Sequence, residues 1–213
     1  GVQTCALPIC FDLEFSASGT VAAPVVTRGP YLQSGGPNEV TVRWRTDIAT
    51  DSRVCVGTVQ GTLGTCVSDA TVTTEHVVRV AGLSADTRYY YSVGSSTATL
   101  AGNDANHFVL TAPPAGTAKP TRIWVLGDAG LGTTAQQQVR DAYSTFTGAR
   151  HTDLWLMLGD NAYNTGTDAE YQAKMFDIYP AMMRKSVYWS TRGNHEATDA
   201  SGSVYYDIHT FPT

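Results

Sequence analysis

Three short motifs in this chain place oxygen donors and an imidazole directly after apolar segments. The apolar segments lie at 123–126, 154–158 and 187–189, and a glycine follows each within four residues. The side chains that could do chemistry come after these glycines: Asp128, Asp160, Tyr163, Asn194 and His195. Ligand sites of open α/β sheets lie beyond the carboxyl ends of the strands, so we expect these side chains at one edge. Hard oxygen donors with one imidazole suit oxygen-preferring metal ions rather than thiolate-bound zinc.

Taken in order, the three motifs carry a family resemblance. They are Gly-Asp-x-Gly from Gly127, Gly-Asp-x-x-Tyr from Gly159 and Gly-Asn-His-Glu from Gly193. A single Gly-Asp pair is common at turns, where the carboxylate caps a helix, but three motifs in this order disfavour that alternative. The chain resembles the purple acid phosphatases of the calcineurin-like metallophosphoesterase superfamily.

The resemblance implies a dinuclear metal centre that holds ferric iron and a divalent ion, which is Fe, Zn or Mn. Asp128 and Tyr163 would bind the ferric ion, Asp160 would bridge the two ions, and Asn194 would bind the divalent ion. His195 would be catalytic rather than a ligand, and would stabilise the transferring phosphoryl group or protonate the leaving oxygen. Two ions about 3.5–4 Å apart neutralise the phosphate charge and lower the pKa of a bound water.

One departure from most of the superfamily indicates the subclass. Most relatives carry Asp-x-His in the first motif, whereas Gly130 stands at the position of that histidine. Exchanging a neutral imidazole for the phenolate of Tyr163 makes the first site harder and more negative, which favours a trivalent ion. The implied function is therefore an acid phosphatase of the purple type, which hydrolyses small-molecule phosphate monoesters with a metal-activated hydroxide. Glu196 is expected to lie behind the ligands.

Two other functions stay open. The first is a phosphodiesterase or nucleotidase on the same scaffold, and the second is a non-catalytic β-sandwich binding module whose catalytic half has decayed. The family completes its site with three further histidines, which lie in two motifs downstream of Gly-Asn-His-Glu. The sequence contains neither of these two motifs. We therefore expect the chain to be a fragment that is inactive by itself. His151 and His209 are not assigned as ligands.

A proline-rich segment divides the chain into two predicted domains. Residues 1–24 are expected to be an artefactual or poorly ordered lead-in, since the first nine resemble a translated sequencing adapter. Residues 25–111 show short alternating segments with turn residues between them, which predicts a β-sandwich. Residues 112–120 form the linker. Residues 121–213 alternate strand and helix patterns, which predicts a parallel sheet.

Two segments of the first domain resemble segments of known domain families. Leu83 to Tyr91 resembles the tyrosine corner of fibronectin type III domains, with Ala85 in place of proline, and this makes Tyr89 structural. Residues 28–33 resemble the opening of the purple acid phosphatase N-terminal domain. The implied fold is a fibronectin III-like β-sandwich followed by the first half of a four-layer α/β/β/α metallophosphoesterase domain. Strands are predicted at 39–45, 52–57, 73–80, 89–93 and 107–111.

Two helices are predicted in the second domain. The first begins with the capping box of Thr133 and Gln136. Its predicted buried face is Ala135, Val139, Ala142, Tyr143 and Phe146. The second begins with the capping box of Thr167 and Glu170 and ends at Pro180. Its predicted buried residues are Tyr171, Met175 and Ile178.

Composition limits the possible partners and location. The formal net charge of −5 and the pI of about 5.4 give no footprint for nucleic acid or anionic membrane, and no apolar run could span a bilayer. Abundant Thr, Ser, Gly and Ala with scarce Lys lead us to expect a secreted, periplasmic or extracellular protein. Cys55 and Cys66 flank a glycine-rich stretch, where either a disulfide or two free thiols would fit.

Overall fold

The computed structural model describes residues 22–198 and 203–212, so the predicted lead-in lies outside it except for residues 22–24. The first unit is a β-sandwich whose six strands form one hydrogen-bonded network. All strand pairings in this network are antiparallel. The strands are β1 (Val26–Gln33), β2 (Glu39–Gly57), β3 (Thr65–Ala81), β4 (Arg88–Gly94), β5 (Thr99–Gly102) and β6 (Phe108–Leu110).

The long strand β2 takes part in both layers of the sandwich. Its first half pairs with β1, its second half pairs with β4, and β3 runs beside both halves. The sequence predicts two separate strands here, at 39–45 and 52–57. The structure joins them because the ladder with β3 resumes after a register shift between Arg45 and Thr50. The predicted apolar face at the start of β2 lies in the sandwich core, where Val40, Val42 and Trp44 are fully buried, but Thr41 and Arg43 on the other face are buried as well.

Two predictions about side chains in the sandwich are settled. The backbone amide of Ser84 donates a hydrogen bond to the Tyr89 hydroxyl at 3.0 Å, which confirms the tyrosine corner. Cys55 and Cys66 are direct partners in the β2–β3 ladder and form a disulfide, which decides between the two alternatives left by the sequence.

The second unit is built around a parallel sheet of three strands in the order β7-β8-β9. These strands are β7 (Ile123–Leu126), β8 (Leu154–Met157) and β9 (Val187–Ser190). The helical segments are α1 (Thr134–Thr147), α2 (Asp168–Tyr171), a π-helical turn (Gln172–Phe176), α3 (Pro180–Met183), a 3₁₀ turn (Glu196–Thr198) and α4 (Ser203–Ile208). The alternation of strand and helix is confirmed, although Pro180 begins α3 instead of ending a longer helix. Among the described helices, none has the length and apolarity needed to cross a membrane.

Helix α1 packs with a different side from the one that the sequence predicts. Thr133 caps it as expected, because its side chain accepts from the backbone amide of Gln136. The predicted buried face is wrong for four of its five residues, which are exposed: Ala135, Val139, Ala142 and Phe146. Phe146 is the extreme case, at 71% exposure.

Polar contacts explain this orientation of α1. Nε2 of Gln136 donates to the carbonyl of Lys174 at 2.7 Å, and Nη1 of Arg140 donates to the carbonyl of Ile178 at 2.7 Å. These carbonyls lie near the end of the second helical region, where backbone acceptors lack partners within the helix. Tyr143, the one predicted residue that does face the protein, stacks on Trp124 with ring centroids 4.1 Å apart.

The second predicted helix is confirmed at its start and on its buried side. Thr167 and Glu170 form a reciprocal capping box before α2. The residues predicted to bury the segment are at most 6% exposed: Tyr171, Met175 and Ile178. The regular helix gives way to the π-helical turn after Tyr171, a change that the sequence pattern does not indicate.

Among the residues that the structure describes, one face of the parallel sheet is buried, and the other is covered by the sandwich only at β9, where Val187 is buried. Trp124, Trp155 and Tyr188 are buried on the covered face. The unbroken apolar run at 154–158 predicts a buried strand, and β8 is fully buried on this face alone, with Trp155 and Met157 at most 1% exposed. The other face and its edge leave three large apolar residues 47–57% exposed: Ile123, Val125 and Leu158.

The two units share one packed interface. Tyr31 of β1 lies in the core of the second unit, and Val187 of β9 lies in the core of the sandwich. The Arg28 guanidinium is fully buried, with Nη2 at 2.9 Å from a carboxylate oxygen of Asp168. Arg45 binds the same carboxylate through both of its oxygens, at 2.6 and 2.7 Å. The sandwich therefore holds the first residue of α2, just after the loop that follows Tyr163.

Candidate metal centre

The ends of the three parallel strands bring the predicted donors to one edge. The strands run in register, with Leu126 opposite Met157 and Met157 opposite Ser190, so the loops that follow them leave the sheet side by side. Asp128 and Asp160 have left-handed backbone conformations, with φ of 51° and 52°. Such angles are uncommon outside glycine but are tolerated by aspartate.

The phenol of Tyr163 lies between two carboxylates. Its hydroxyl is 2.9 Å from Oδ1 of Asp128 and 3.1 Å from Oδ2 of Asp160, within hydrogen-bond distance of both. Neighbouring ligand oxygens of an octahedral ion with bonds of about 2.1 Å are about 3.0 Å apart. Neighbouring ligands on one ion have the same spacing as these hydrogen bonds, so the three hard oxygen donors could hold a metal ion, although the described residues contain no cluster of three or more His, Cys, Asp or Glu side chains that could do so.

The protonation of these groups follows from their contacts. Desolvation and hydrogen bonds to the two carboxylates raise the pKa of Tyr163. Desolvation raises the pKa of Asp160, but hydrogen bonds from the His195 amide and the Tyr163 hydroxyl outweigh it, so the pKa is lowered. These shifts favour a neutral phenol at Tyr163 beside an ionised Asp160. Coordination of the phenol oxygen as phenolate would release its proton.

His195 lies beside the same cluster. Its backbone amide donates to Oδ1 of Asp160 at 3.1 Å, and its ring centroid is 4.3 Å from that of Tyr163. Nδ1 lies 2.7 Å from the carbonyl of Asn164, an acceptor, so the proton of the neutral ring is on Nδ1. Nε2 is then the ring nitrogen left to a substrate. The sequence prediction that His195 lies near the donors is confirmed, whereas its role stays a prediction.

Asn194 is exposed and lies between two anchored backbone amides. The amide of Gly193 before it donates to Glu196, and the amide of His195 after it donates to Asp160. Glu196 is 1% exposed, and its carboxylate accepts hydrogen bonds from the loops of both the second and the third motif. The expectation that Glu196 lies behind the donors is confirmed.

Two glycines let the three loops approach one another closely. A Cβ at Gly130 would collide with the backbone of Asn161 and Ala162, and a Cβ at Gly193 would collide with Asp160. Gly130 also accepts a hydrogen bond from the amide of Tyr163 at 2.9 Å. In this fold, a side chain at position 130 therefore has no room unless the second loop moves.

The other histidines lie away from this edge. His76 and His107 are buried in the sandwich, and His151 precedes β8 at the opposite end of the strand, with its ring 5.3 Å from that of Phe108. His209 is 4% exposed within an aromatic cluster, where its Nδ1 is 2.7 Å from the carbonyl of Tyr205. Burial lowers the pKa of His209 to about 3. Leaving His151 and His209 outside the ligand set agrees with these positions.

Sequence reasoning missed two residues that hold the loop of Tyr163. Lys174 donates to the carbonyl of Tyr163 and lies 3.2 Å from Glu170. The Glu170 carboxylate also accepts from the backbone amides of Asn164 and Thr165. Desolvation opposes ionisation of Glu170, but these amide hydrogen bonds lower its pKa to about 2. The Glu-to-Lys spacing of four residues on a predicted helix was the available signal.

Comparisons with known proteins bear on each unit differently. Residues 27–109 match the family model of the purple acid phosphatase N-terminal domain. The solved structure of PhoD matches with a TM-score of 0.62 at 14% identity, and the match covers 86% of this chain and 41% of that chain. The sixth fibronectin type III domain of human fibronectin type III domain containing protein 3 matches with a TM-score of 0.33 at 21% identity, over 49% of this chain and 100% of that domain. No curated protein matches the chain.

The family match coincides with the sandwich, since it starts within β1 and ends within β6. The likeness to PhoD shows the fold alone, because the identity is 14%, and this chain spans about two fifths of the length of PhoD. Tyr89, at the tyrosine corner, and Arg28 to Gln33, which resembled the family's opening segment, both lie inside the matched residues. Residues 27–109 therefore match a purple acid phosphatase N-terminal domain, and this match supports the purple acid phosphatase family.

Proposed function

We propose that this protein hydrolyses phosphate monoesters at a dinuclear metal centre, as an acid phosphatase of the purple type. The observation that carries the proposal is the position of the Tyr163 hydroxyl, 2.9 Å from Asp128 and 3.1 Å from Asp160. A phenol beside two carboxylates is a hard, anionic donor set, and such a set favours a trivalent ion such as ferric iron.

Each donor has one role in this proposal. Asp128 and Tyr163 would hold the ferric ion, Asp160 would be shared with a divalent Fe, Zn or Mn ion, and Asn194 would give its amide oxygen to the divalent ion. When bound, the metal pair neutralises charge on the phosphate ester and lowers the pKa of a water. In its imidazolium form, which carries a proton on each ring nitrogen, His195 would protonate the leaving oxygen or stabilise the transferring phosphoryl group through Nε2, because Nδ1 is engaged by a backbone carbonyl.

The assignment to monoesters is supported by an exchange of metal-binding side chains: position 130 lacks the histidine of other branches, and position 163 has a tyrosine. The phosphodiesterase branch of the resemblance carries a histidine where this chain has Gly130, and here the backbone of the second loop fills that space. The phenol of Tyr163 supplies the donor that the first site then lacks. The anionic phenolate makes this site favour a trivalent ion over a divalent one.

The fold supports a matching division of the chain. We propose a purple acid phosphatase N-terminal domain at 25–111, a linker at 112–120 and a metallophosphoesterase domain at 121–213. The parallel sheet is then one of the two central layers of an α/β/β/α fold, and the other central layer would cover the face that leaves Ile123 and Val125 exposed. The disulfide between Cys55 and Cys66 supports a secreted, periplasmic or extracellular location.

The visible spectrum of the full-length protein loaded with Fe(III) tests the proposal. A phenolate bound to ferric iron absorbs visible light by charge transfer, so the loaded protein is expected to be coloured. Tyr163→Phe should bleach the colour with the fold intact. Tyr90→Phe is the matched control, since Tyr90 lies in β4 of the sandwich and its hydroxyl is remote from the site.

An iron-loaded protein that is colourless when oxidised would refute the role of Tyr163. The reaction is tested separately, by comparing p-nitrophenyl phosphate with bis(p-nitrophenyl) phosphate on the complete gene product. Faster hydrolysis of the bis-ester would replace the monoesterase with the phosphodiesterase alternative. A complete gene product that retains no metal and hydrolyses neither ester would favour the non-catalytic binding module.

A further inference from the structure

A single buried carboxylate joins the second motif to the third. Oε1 of Glu196 accepts hydrogen bonds from the amides of Asn161 at 2.5 Å and Ala162 at 3.0 Å. Oε2 accepts from the amides of Asp160 at 3.0 Å and Gly193 at 2.7 Å. A carboxylate has about four lone-pair positions, so these donors use its full capacity. Oε2 accepts hydrogen bonds from both loops, through the amides of Asp160 and Gly193.

The two loops that Glu196 joins carry the two proposed donors of the divalent ion. Asp160 is itself one of the residues that the carboxylate binds, and Asn194 directly follows Gly193, another of them. The amide of His195 also donates to Asp160, so Asn194 is fixed on both sides relative to that carboxylate.

The proposed donors of the ferric ion are held by different contacts. The amide of Asp128 donates to the carbonyl of Gly159 at 3.2 Å, and the amide of Tyr163 donates to the carbonyl of Gly130 at 2.9 Å. Lys174 holds the carbonyl of Tyr163 from the helical side. None of these hydrogen bonds uses the Glu196 carboxylate.

We propose that Glu196 is a positioning residue that sets the separation of Asp160 and Asn194, and thereby the affinity of the site for its divalent ion. The inference rests on the proposed function, since it takes the divalent donors from it. Partners that orient metal ligands without touching the metal change metal affinity by about 10–100-fold when they are replaced. Glu196 should affect the divalent site more than the ferric site, because both divalent donors lie on the loops that it joins, whereas the ferric donor Asp128 lies on the first loop, which it does not contact.

Glu196→Gln is the sharpest variant because it keeps the size of the side chain. Its amide group has one oxygen and one NH₂, so whichever way it turns, two backbone N–H groups face a donor instead of an acceptor. Glu196→Asp is the second variant. It keeps the charge but is one methylene shorter, so it should restore only part of the effect. Asp153→Asn is the matched control, since Asp153 also accepts from a backbone amide, that of Arg122, at the opposite end of the sheet.

The experiment titrates Mn(II) into the Fe(III)-loaded protein and measures free Mn(II) by electron paramagnetic resonance. We expect Glu196→Gln to weaken Mn(II) binding by about 10–100-fold while the ferric charge-transfer band remains. Glu196→Asp should lie between this variant and the wild type, and Asp153→Asn should bind Mn(II) like the wild type. Loss of the ferric band in parallel with Mn(II) would mean general destabilisation and would overturn the proposal.

Hydrogen exchange on the metal-free protein tests the same carboxylate without any metal. In Glu196→Gln, the amides of residues 160–162 and of Gly193 should exchange faster together, with no such change in Asp153→Asn. Unchanged protection of these amides would overturn the inference even if the iron-loaded protein is coloured. A colourless wild type whose amides respond as expected would instead refute the proposed function, and the metal role of Glu196 with it.

Discussion

Oδ1 of Asp160 accepts a hydrogen bond from the backbone amide of His195 at 3.1 Å, across a gap of 35 residues. The other oxygen of the same carboxylate lies 3.1 Å from the Tyr163 hydroxyl. Asp160 also accepts from the amide of Gly130 through its backbone carbonyl. Asp160 in the central loop therefore contacts residues of all three motifs.

Asp160→Asn should cost more metal than any other single change at the site. The amide cannot bridge two ions as a carboxylate does, so both ions should be depleted. Asn194→Ala should mainly empty the divalent site, because the ferric donors Asp128 and Tyr163 remain. Elemental analysis after loading and dialysis gives both stoichiometries. Full occupancy by two metals in Asp160→Asn would contradict the bridging role.

The orientation of α1 gives a stability test on one helix. Gln136→Ala removes two hydrogen bonds from a buried side chain, which accepts from Gly132 and donates to Lys174 at 2.6 and 2.7 Å. We expect a loss of about 1–3 kcal/mol in the free energy of unfolding. Phe146→Ser should change it by less than about 0.5 kcal/mol, since Phe146 is exposed.

Chemical denaturation of the two variants beside the wild type checks this order. The reverse order, with Phe146→Ser the more damaging, would mean that the apolar side of α1 packs against the protein in solution, as the sequence pattern predicts. Equal and small effects would show that neither side of α1 is packed tightly.

Local sequence signals predicted the parts of the fold that depend on neighbouring residues. The tyrosine corner at Tyr89 and the capping box of Thr167 with Glu170 act over at most five residues, and both are present. The apolar run before each motif placed the three strands, and the register of parallel strands then brought the loops together.

The features that the sequence did not indicate depend on contacts between distant segments. Helix α1 turns its polar side inward because carbonyls near residues 174 and 178 need donors, and no pattern within α1 reports this. The clamp by Glu196 likewise needs amides that lie more than 30 residues earlier in the chain. Burial of the Arg28 guanidinium follows from the position of Asp168 across the interface.

His209 should make stability depend on pH. Burial lowers its folded pKa to about 3 from an ordinary value of 6.5. Between these values the unfolded chain binds the extra proton, so the free energy of unfolding falls as the pH falls, by up to about 1.4 kcal/mol per pH unit. The contribution of neutral His209 to the free energy of unfolding is complete above pH 6.5, the pKa of histidine in the unfolded chain.

His209→Asn isolates this contribution, because asparagine keeps an N–H for the Tyr205 carbonyl but does not titrate. Denaturation at about pH 4 and about pH 7 should show a smaller pH dependence in the variant than in the wild type. The variant is expected to be less stable at neutral pH, since it leaves space among the aromatic rings. An unchanged difference between the two pH values would contradict the assignment of this dependence to His209.

The 213-residue chain is expected to hold metal weakly and to hydrolyse no p-nitrophenyl phosphate, whatever metals are added. In the described residues the donors at the site are oxygens alone, and four of the five histidines lie in cores or at the other end of the sheet. Water can fill open coordination positions, but each missing imidazole leaves the ions less firmly placed. Hydrolysis needs the attacking oxygen, phosphorus and leaving oxygen in line, so loosely placed ions catalyse little.

Turnover by the purified chain that disappears in Asp160→Asn would show that imidazole ligands are dispensable, and would refute this ligand scheme. Equal residual turnover in both proteins would instead indicate a contaminating phosphatase.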